Sequence, residues 1–262
     1  MKKIYFGAAF LFLGLTSCSS NDENSVDSEN IFMPLNASSA WLYDVSIENQ
    51  NVGRDSLFIS GETTINSNTY NTFSTASTPF GFYTNALNNS SIRKQGDKLL
   101  ISGTTGFALS ELFPIDINLT DFVLFKENSS NNAQLDTKSG TIEQDLQGLP
   151  IKIDYNLESF FKESLATFTV PGRESYSNVK VIKLVANLKV NTIYTLPGLN
   201  TPVSIGILNS QDVIISTHYY AEGVGMIYSK TEVNYELNDF SQAEIEFPIP
   251  QIGSSTIEEF LD

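Results

Sequence analysis

One cysteine, one histidine and one tryptophan in 262 residues leave little room for several chemistries. The single thiol, Cys18, excludes an internal disulfide, a cysteine-based zinc site and a CxxC redox pair. The single imidazole, His218, excludes the paired histidines of metal-binding motifs. Cations are scarce as well: fifteen Lys and Arg against thirty Asp and Glu give a net charge of −15. Nucleic-acid binding needs cations to displace the counterions condensed on phosphate, so this balance excludes it. No apolar run is long enough to cross a bilayer. The longest, residues 4–15, falls short of the ~20 residues that a spanning helix requires.

That short run is informative in another way. Lys2 and Lys3 precede it and small residues follow it, which is the arrangement of a secretory leader removed on export. Leu15, Thr16, Ser17 and Cys18 then resemble the lipobox of bacterial lipoproteins, an aliphatic residue and two small ones before a cysteine. The resemblance implies that the Cys18 sulfur takes a diacylglycerol thioether and becomes the lipid-attachment site, with palmitate-like chains in the membrane. One acyl chain anchors only marginally at roughly 0.8 kcal/mol per buried methylene, whereas two or three hold stably. Loss of Lys2 and Lys3 with the leader lowers the charge by two, to −17. Anionic headgroups repel such a body, so the lipid must do the attaching.

Residues 19–30 hold four acids, one apolar residue and no aromatic ring, too little to order themselves. A flexible coil of this length spans ~20 Å. The chain therefore divides into a leader at residues 1–17, a lipidated tether at 18–30 and a single β-rich domain at 31–262. Asp22 and Glu23, soon after Cys18, resemble the export signal of surface lipoproteins in the Bacteroidetes phylum. Both faces of the outer membrane remain open as the destination.

Beyond residue 30 the apolar residues recur with period two. Trp41, Tyr43, Val45 and Ile47 share one face of a strand, as do Ile151, Ile153, Tyr155 and Leu157. Ile182, Leu184, Ala186, Leu188 and Val190 mark another, and Val233, Tyr235 and Leu237 a fourth. Burial of one face points to antiparallel sheet, because buried parallel strands read as continuous apolar runs. The expected fold is all-β: a large, curved, antiparallel sheet, sandwich-like or barrel-like, with at most short helices. Turns are expected at Asn51 and Gly53, Gly96 and Asp97, Lys138 to Gly140, Pro171 and Gly172, and Pro197 and Gly198. Residues 157–165, 110–113 and 257–261 are the candidates for short helical turns, and residues 128–132 for a long loop.

Two segments carry a resemblance. Phe32, Pro34 and Leu35 followed by Trp41-x-Tyr43 resemble the opening of a broad group of Bacteroidetes envelope lipoproteins. Tyr220, Ala221, Gly223, Val224 and Gly225 resemble a segment near the end of the same group, and Ile65 to Tyr70 fits a motif between them. Ser38, Ser39 and Ala40 stand where the group has a glycine before the tryptophan. The group has no established activity, so the resemblance implies an envelope β lipoprotein and brings no catalytic residue with it.

Other constellations read more plainly. Gly223 and Gly225 lie between two strand-like runs and suit a tight hairpin or bulge rather than a phosphate loop, which needs a following helix. His218 reads as a satisfied strand histidine, since no G-x-S-x-G supplies a nucleophile for it to activate. Three S-x-x-K matches, at Ser91, Ser159 and Ser177, lack the partner motifs of that chemistry. Glu258 and Glu259 read as a solvated tail. No calcium-loop pattern occurs, and no cofactor or metal is expected. Phe73, Phe80, Phe82 and Tyr83 read as core, with presentation to a ligand as the alternative. Ser56, in Asp55-Ser56-Leu57, resembles an O-glycosylation site of the phylum.

Together these features describe a non-enzymatic envelope lipoprotein, a binding or assembly module for an envelope protein, glycan or lipid, anchored to the outer membrane. The alternative is a carrier of a lipid or other apolar ligand in a curved sheet. A carboxylate-dependent polysaccharide hydrolase is the third reading.

Overall fold

The computed structural model describes residues 32–108, 113–194, 201–239, 247 and 249–262. The leader, Cys18, the tether, residues 110–112 and the turn expected at Pro197 and Gly198 lie outside the described residues. Among the described residues twelve strands run in chain order: β1 (Ala40–Ile47), β2 (Gln50–Ile65), β3 (Asn68–Thr75), β4 (Ser91–Gln95), β5 (Lys98–Ala108), β6 (Pro114–Lys126), β7 (Ala133–Leu146), β8 (Leu149–Thr169), β9 (Ser175–Tyr194), β10 (Val203–Ala221), β11 (Gly225–Glu236) and β12 (Ile252–Leu261). One six-residue helix, α1 (Phe82–Leu87), sits between β3 and β4.

All twelve strands belong to one antiparallel sheet, in the order β6-β5-β4-β3-β2-β1-β12-β11-β10-β9-β8-β7. The first and last strands pair, from Tyr43 opposite Leu261 to Ile47 opposite Ile257. The sheet is nearly closed into a barrel, with its seam between β6 and β7. Side chains bridge that seam in place of a ladder. The Val123 amide donates to Asp136 Oδ2 at 2.8 Å, Ser159 Oγ donates to the Val123 carbonyl at 2.7 Å, and Gln144 Nε2 donates to the Pro114 carbonyl at 3.2 Å.

The alternation seen in the sequence points its apolar side into the barrel. Trp41, Tyr43 and Val45, Ile151 and Ile153, Ile182, Ala186, Leu188 and Val190, and Tyr235 and Leu237 are all buried. Lys183, Asn187 and Lys189 share the opposite face of β9, the reverse of a membrane barrel's pattern. Eight strands already make an interior that side chains just fill, so twelve leave a wider one. Here chain fills it: α1 places Tyr83 and Leu87 among the buried core residues, and Phe32 and Met33 are buried there too, with Phe32 5.5 Å from Phe125.

The two segments that carry the resemblance meet in space. The Trp41 indole N–H donates to the Val224 carbonyl at 2.7 Å, and the Tyr43 hydroxyl to the Met226 carbonyl at 3.1 Å. Gly225 lies so close that a Cβ there would come within 2.6 Å of the indole nitrogen, and its φ of 113° suits glycine alone. A second apolar cluster forms where Phe168, near the end of β8, stacks on Tyr219 at 4.1 Å beside Tyr228. At the tip of that hairpin Arg173 donates to the Leu261 carbonyl at 2.6 Å and pairs with Asp44, which Arg54 also holds at 2.8 Å.

Several local expectations are corrected. Residues 157–165 and 257–261 are strand, in β8 and β12, and not helical turns. The reason is the same in both: a buried polar residue, Ser159 or Glu259, occupies an inward position and interrupts the apolar alternation. The turn before β2 falls at Glu48 and Asn49, both at positive φ, and Gly53 lies inside β2. Lys138, Ser139 and Gly140 lie within β7. Glycine stands there because a Cβ at Gly140 would meet the Tyr155 hydroxyl at 2.6 Å. The turns at Gly96, at Gly172 and at Gly223 fall where expected, as does the loop before β7.

Candidate binding site in the barrel lumen

Six inward positions on three neighbouring strands and on β2 are polar. They are Asp55 on β2, Ser216 and His218 on β10, Ser229 and Thr231 on β11, and Glu259 on β12, all buried. Register brings them together, with His218 opposite Ser229 and Ser229 opposite Glu259. Burying such groups costs free energy unless each finds a partner.

The two acids find theirs on the chain around α1. Asp55 accepts the amides of Phe80 at 3.0 Å and Gly81 at 2.7 Å. Glu259 accepts those of Tyr83 at 2.7 Å and Thr84 at 3.0 Å, and the Ser229 hydroxyl at 2.9 Å. The helix has no capping side chain of its own, so these barrel carboxylates take that role from outside. Thr84 Oγ1 lies 2.6 Å from Asp55 Oδ2 and 3.0 Å from Glu259 Oε1. The Thr84 hydroxyl thus sits between the two carboxyls and is the donor that links them. Burial raises the Glu259 pKa, an effect that the amide and hydroxyl donors only partly offset.

His218 sits one step further round the wall. Its Nε2 is 2.8 Å from Ser216 Oγ, which is itself 2.6 Å from Thr231 Oγ1. Its Nδ1 is buried without a partner, as are the hydroxyls of Tyr83 and Tyr220. Burial holds the imidazole pKa down to about 3, so it is neutral at ordinary pH. The Tyr83 ring meets it edge-on at 5.1 Å.

Beside this polar pole lies a cavity of about 50 Å³. Its walls are almost wholly apolar: Phe82, Ala86 and Leu87 of α1 face Phe122 and Leu124 of β6 and Leu184 of β9, while Tyr83 and His218 bring polar atoms. No lysine or arginine among the described residues lines it. Among the described residues no cluster of His, Cys, Asp and Glu is arranged to hold a metal ion.

The structure redistributes the residues singled out in the sequence. Phe73 and Tyr83 are core and Phe82 packs against it, but Phe80 is 50% exposed. Glu259 is no part of a solvated tail: it is 0% exposed and caps α1. His218 lies on a strand and is buried as expected, yet only half its hydrogen-bonding capacity is met. The neighbour that its sequence context did not reveal is Ser216, two residues away on the same face of β10. Ser56 is half-buried and its Oγ accepts the Ala76 amide at 3.1 Å, while Asp55 beside it points into the lumen. The S-x-x-K pairs lie on strands, where a spacing of three puts two residues on opposite faces. The Asp55–Glu259 pair was invisible because 204 positions separate its members, although an acid inside an alternating strand is the signal to look for.

No family model, curated protein or solved structure matches this chain.

Proposed function

We propose that the chain is a non-enzymatic, lipid-anchored protein of the outer membrane whose barrel binds an apolar ligand in its lumen. The leader, the lipobox at Cys18 and the polar tether support the anchored location. The apolar cavity beneath α1 carries the binding role, and it favours the carrier over a module that uses only its outer surface. A barrel of twelve strands whose centre is filled by a short inserted helix has room for a guest once that helix yields. Binding is also the simpler use of the polar pole, because both carboxylates are committed to backbone amides and the Ser216–His218 pair carries no acid on Nδ1.

Protein purified natively from its own membrane, extracted with organic solvent and measured by mass spectrometry, should release an apolar compound in near-stoichiometric amount. Leu184→Trp or Ala186→Trp, which fill the cavity from β9, should deplete it. A clean extract, together with no displacement of a fluorescent apolar probe by any long-chain compound, refutes the carrier reading.

A further inference from the structure

The polar pole and the cavity together say what kind of guest fits. Residues 80–87 press an apolar surface (Phe82, Ala86, Leu87) toward the cavity and offer five hydrogen-bond donors to two buried carboxyls. Without this segment Asp55, 1% exposed, would lose every partner described here, and Glu259 would keep only Ser229. An interior cannot leave two such acids unpaired, so whatever replaces the segment must bring donors. A second observation points the same way. His218 is 1% exposed, lines the cavity, and has a buried Nδ1 with no partner. In the tautomer in which Nε2–H donates to Ser216, that nitrogen is a free acceptor.

Resting on the carrier reading, we propose that residues 80–87 are a displaceable internal occupant, and that the guest is a single-chain amphiphile ending in a protonated amine. The cavity alone is too small for it: about 50 Å³, against the ~150 Å³ of an enclosed site that holds benzene. The guest therefore takes the place of α1. Its chain lies against Ile117, Phe122, Leu124 and Leu184, and its ammonium faces Asp55, Glu259 and His218. An ammonium brings three donors and the charge that a pair of carboxyls lacks, whereas an alcohol brings one donor and a phosphate at most one, with a negative charge. Among the described residues no Lys or Arg lines the cavity or pairs with either acid, so an anionic head meets repulsion there. The charge of the whole chain, −15, favours the approach of a cation.

The test uses the acylated protein in nanodiscs with three photoreactive probes of one tail length: dodecylamine, dodecanol and dodecyl phosphate, each with a diazirine in the tail. Labelling is mapped by peptide mass spectrometry against empty-nanodisc controls. The amine should label peptides of β6 and β9 at least tenfold more efficiently than the phosphate. Amide exchange at residues 81–84 should speed up as it binds. Asp55→Asn with Glu259→Gln should lower amine labelling about tenfold and leave the alcohol within twofold. If that pair does not fold, Glu259→Gln alone is held to the same criterion. Equal lumen labelling by all three heads overturns the amine assignment and leaves the carrier reading standing. Labelling by the amine with residues 81–84 still protected overturns the displacement. No lumen labelling by any probe overturns the carrier reading itself.

Discussion

Glu259 and His218 are buried within one polar cluster, yet burial moves their protonation equilibria in opposite directions on the pH axis. Each is pushed toward its neutral form, which for the carboxyl means a raised pKa and for the imidazole a lowered one. The contribution of Glu259 to stability is complete below its unfolded pKa near 4.5 and is lost as pH rises through its higher folded value. His218 behaves in the opposite sense. Its contribution is complete above 6.5 and is lost as pH falls toward about 3. Asp44, held below the usual carboxylate range by Arg54 and Arg173, also loses its contribution in acid. In the window where one such group differs between the two states, stability changes by about 1.4 kcal/mol per pH unit. Urea denaturation from pH 4 to 8 should therefore find wild type losing ground to Glu259→Gln as pH rises. Parallel curves would show that Glu259 is already ionised in the folded protein. Because the chain has one histidine, its ring-proton NMR signals report His218 directly, and they should remain those of neutral imidazole at pH 5.

Among the elements, α1 depends most on others. Six residues are too few to be helical unaided, and this helix borrows its N-terminal partners from β2 and β12. Gly81 is the hinge of that arrangement. Its φ of −75° is open to any residue, so the need for glycine is steric: a Cβ there would fall 2.1 Å from Glu259 Oε1. Gly81→Ala should therefore push the helix off its acids and cost about 1–3 kcal/mol, in the range of overpacked cores. It should also hasten amide exchange at residues 82–84 while leaving the exchange of β9 unchanged. A variant as stable as wild type would mean that Glu259 moves aside freely. The same elements show what was legible beforehand. Stretches with an apolar inward face, such as Ile182 to Val190 of β9 and most of β1, announced themselves by alternation. Those with a polar residue turned inward did not: Ser159 made part of β8 read as a helical turn, and Glu259 did so for β12. Alternation in sequence reports burial only when burial is apolar, and the lumen's polar pole consists of the residues that break this rule. Short-range patterns also carry no information on pairing, so the meeting of Asp55 with Glu259 depends on β1 joining β2 to β12.

For the molecule as a whole, closure and charge set what it can do. The barrel joins its first strand to its last, and Trp41, Tyr43, Asp44 and Arg173 bond across that junction and toward the neighbouring β10–β11 turn. The nearly closed body turns charged strand faces outward and carries an excess of acids. Such a surface repels anionic headgroups, so under the proposed anchored reading attachment rests on the lipid at Cys18. If the Cys18 sulfur carries the lipid, metabolic labelling with an alkyne palmitate should tag the protein, and the wild type should stay with membranes through a 1 M salt wash. Cys18→Ala should lose the tag and either appear in the soluble fraction or stall with its leader uncleaved, a difference of about two kilodaltons on a gel. The lumen lies far from this residue in sequence, so a processed, soluble form should still bind the apolar probe with wild-type affinity. A Cys18→Ala protein that remains membrane-bound with its leader removed would mean that the body, despite its charge, holds the surface by contacts of its own.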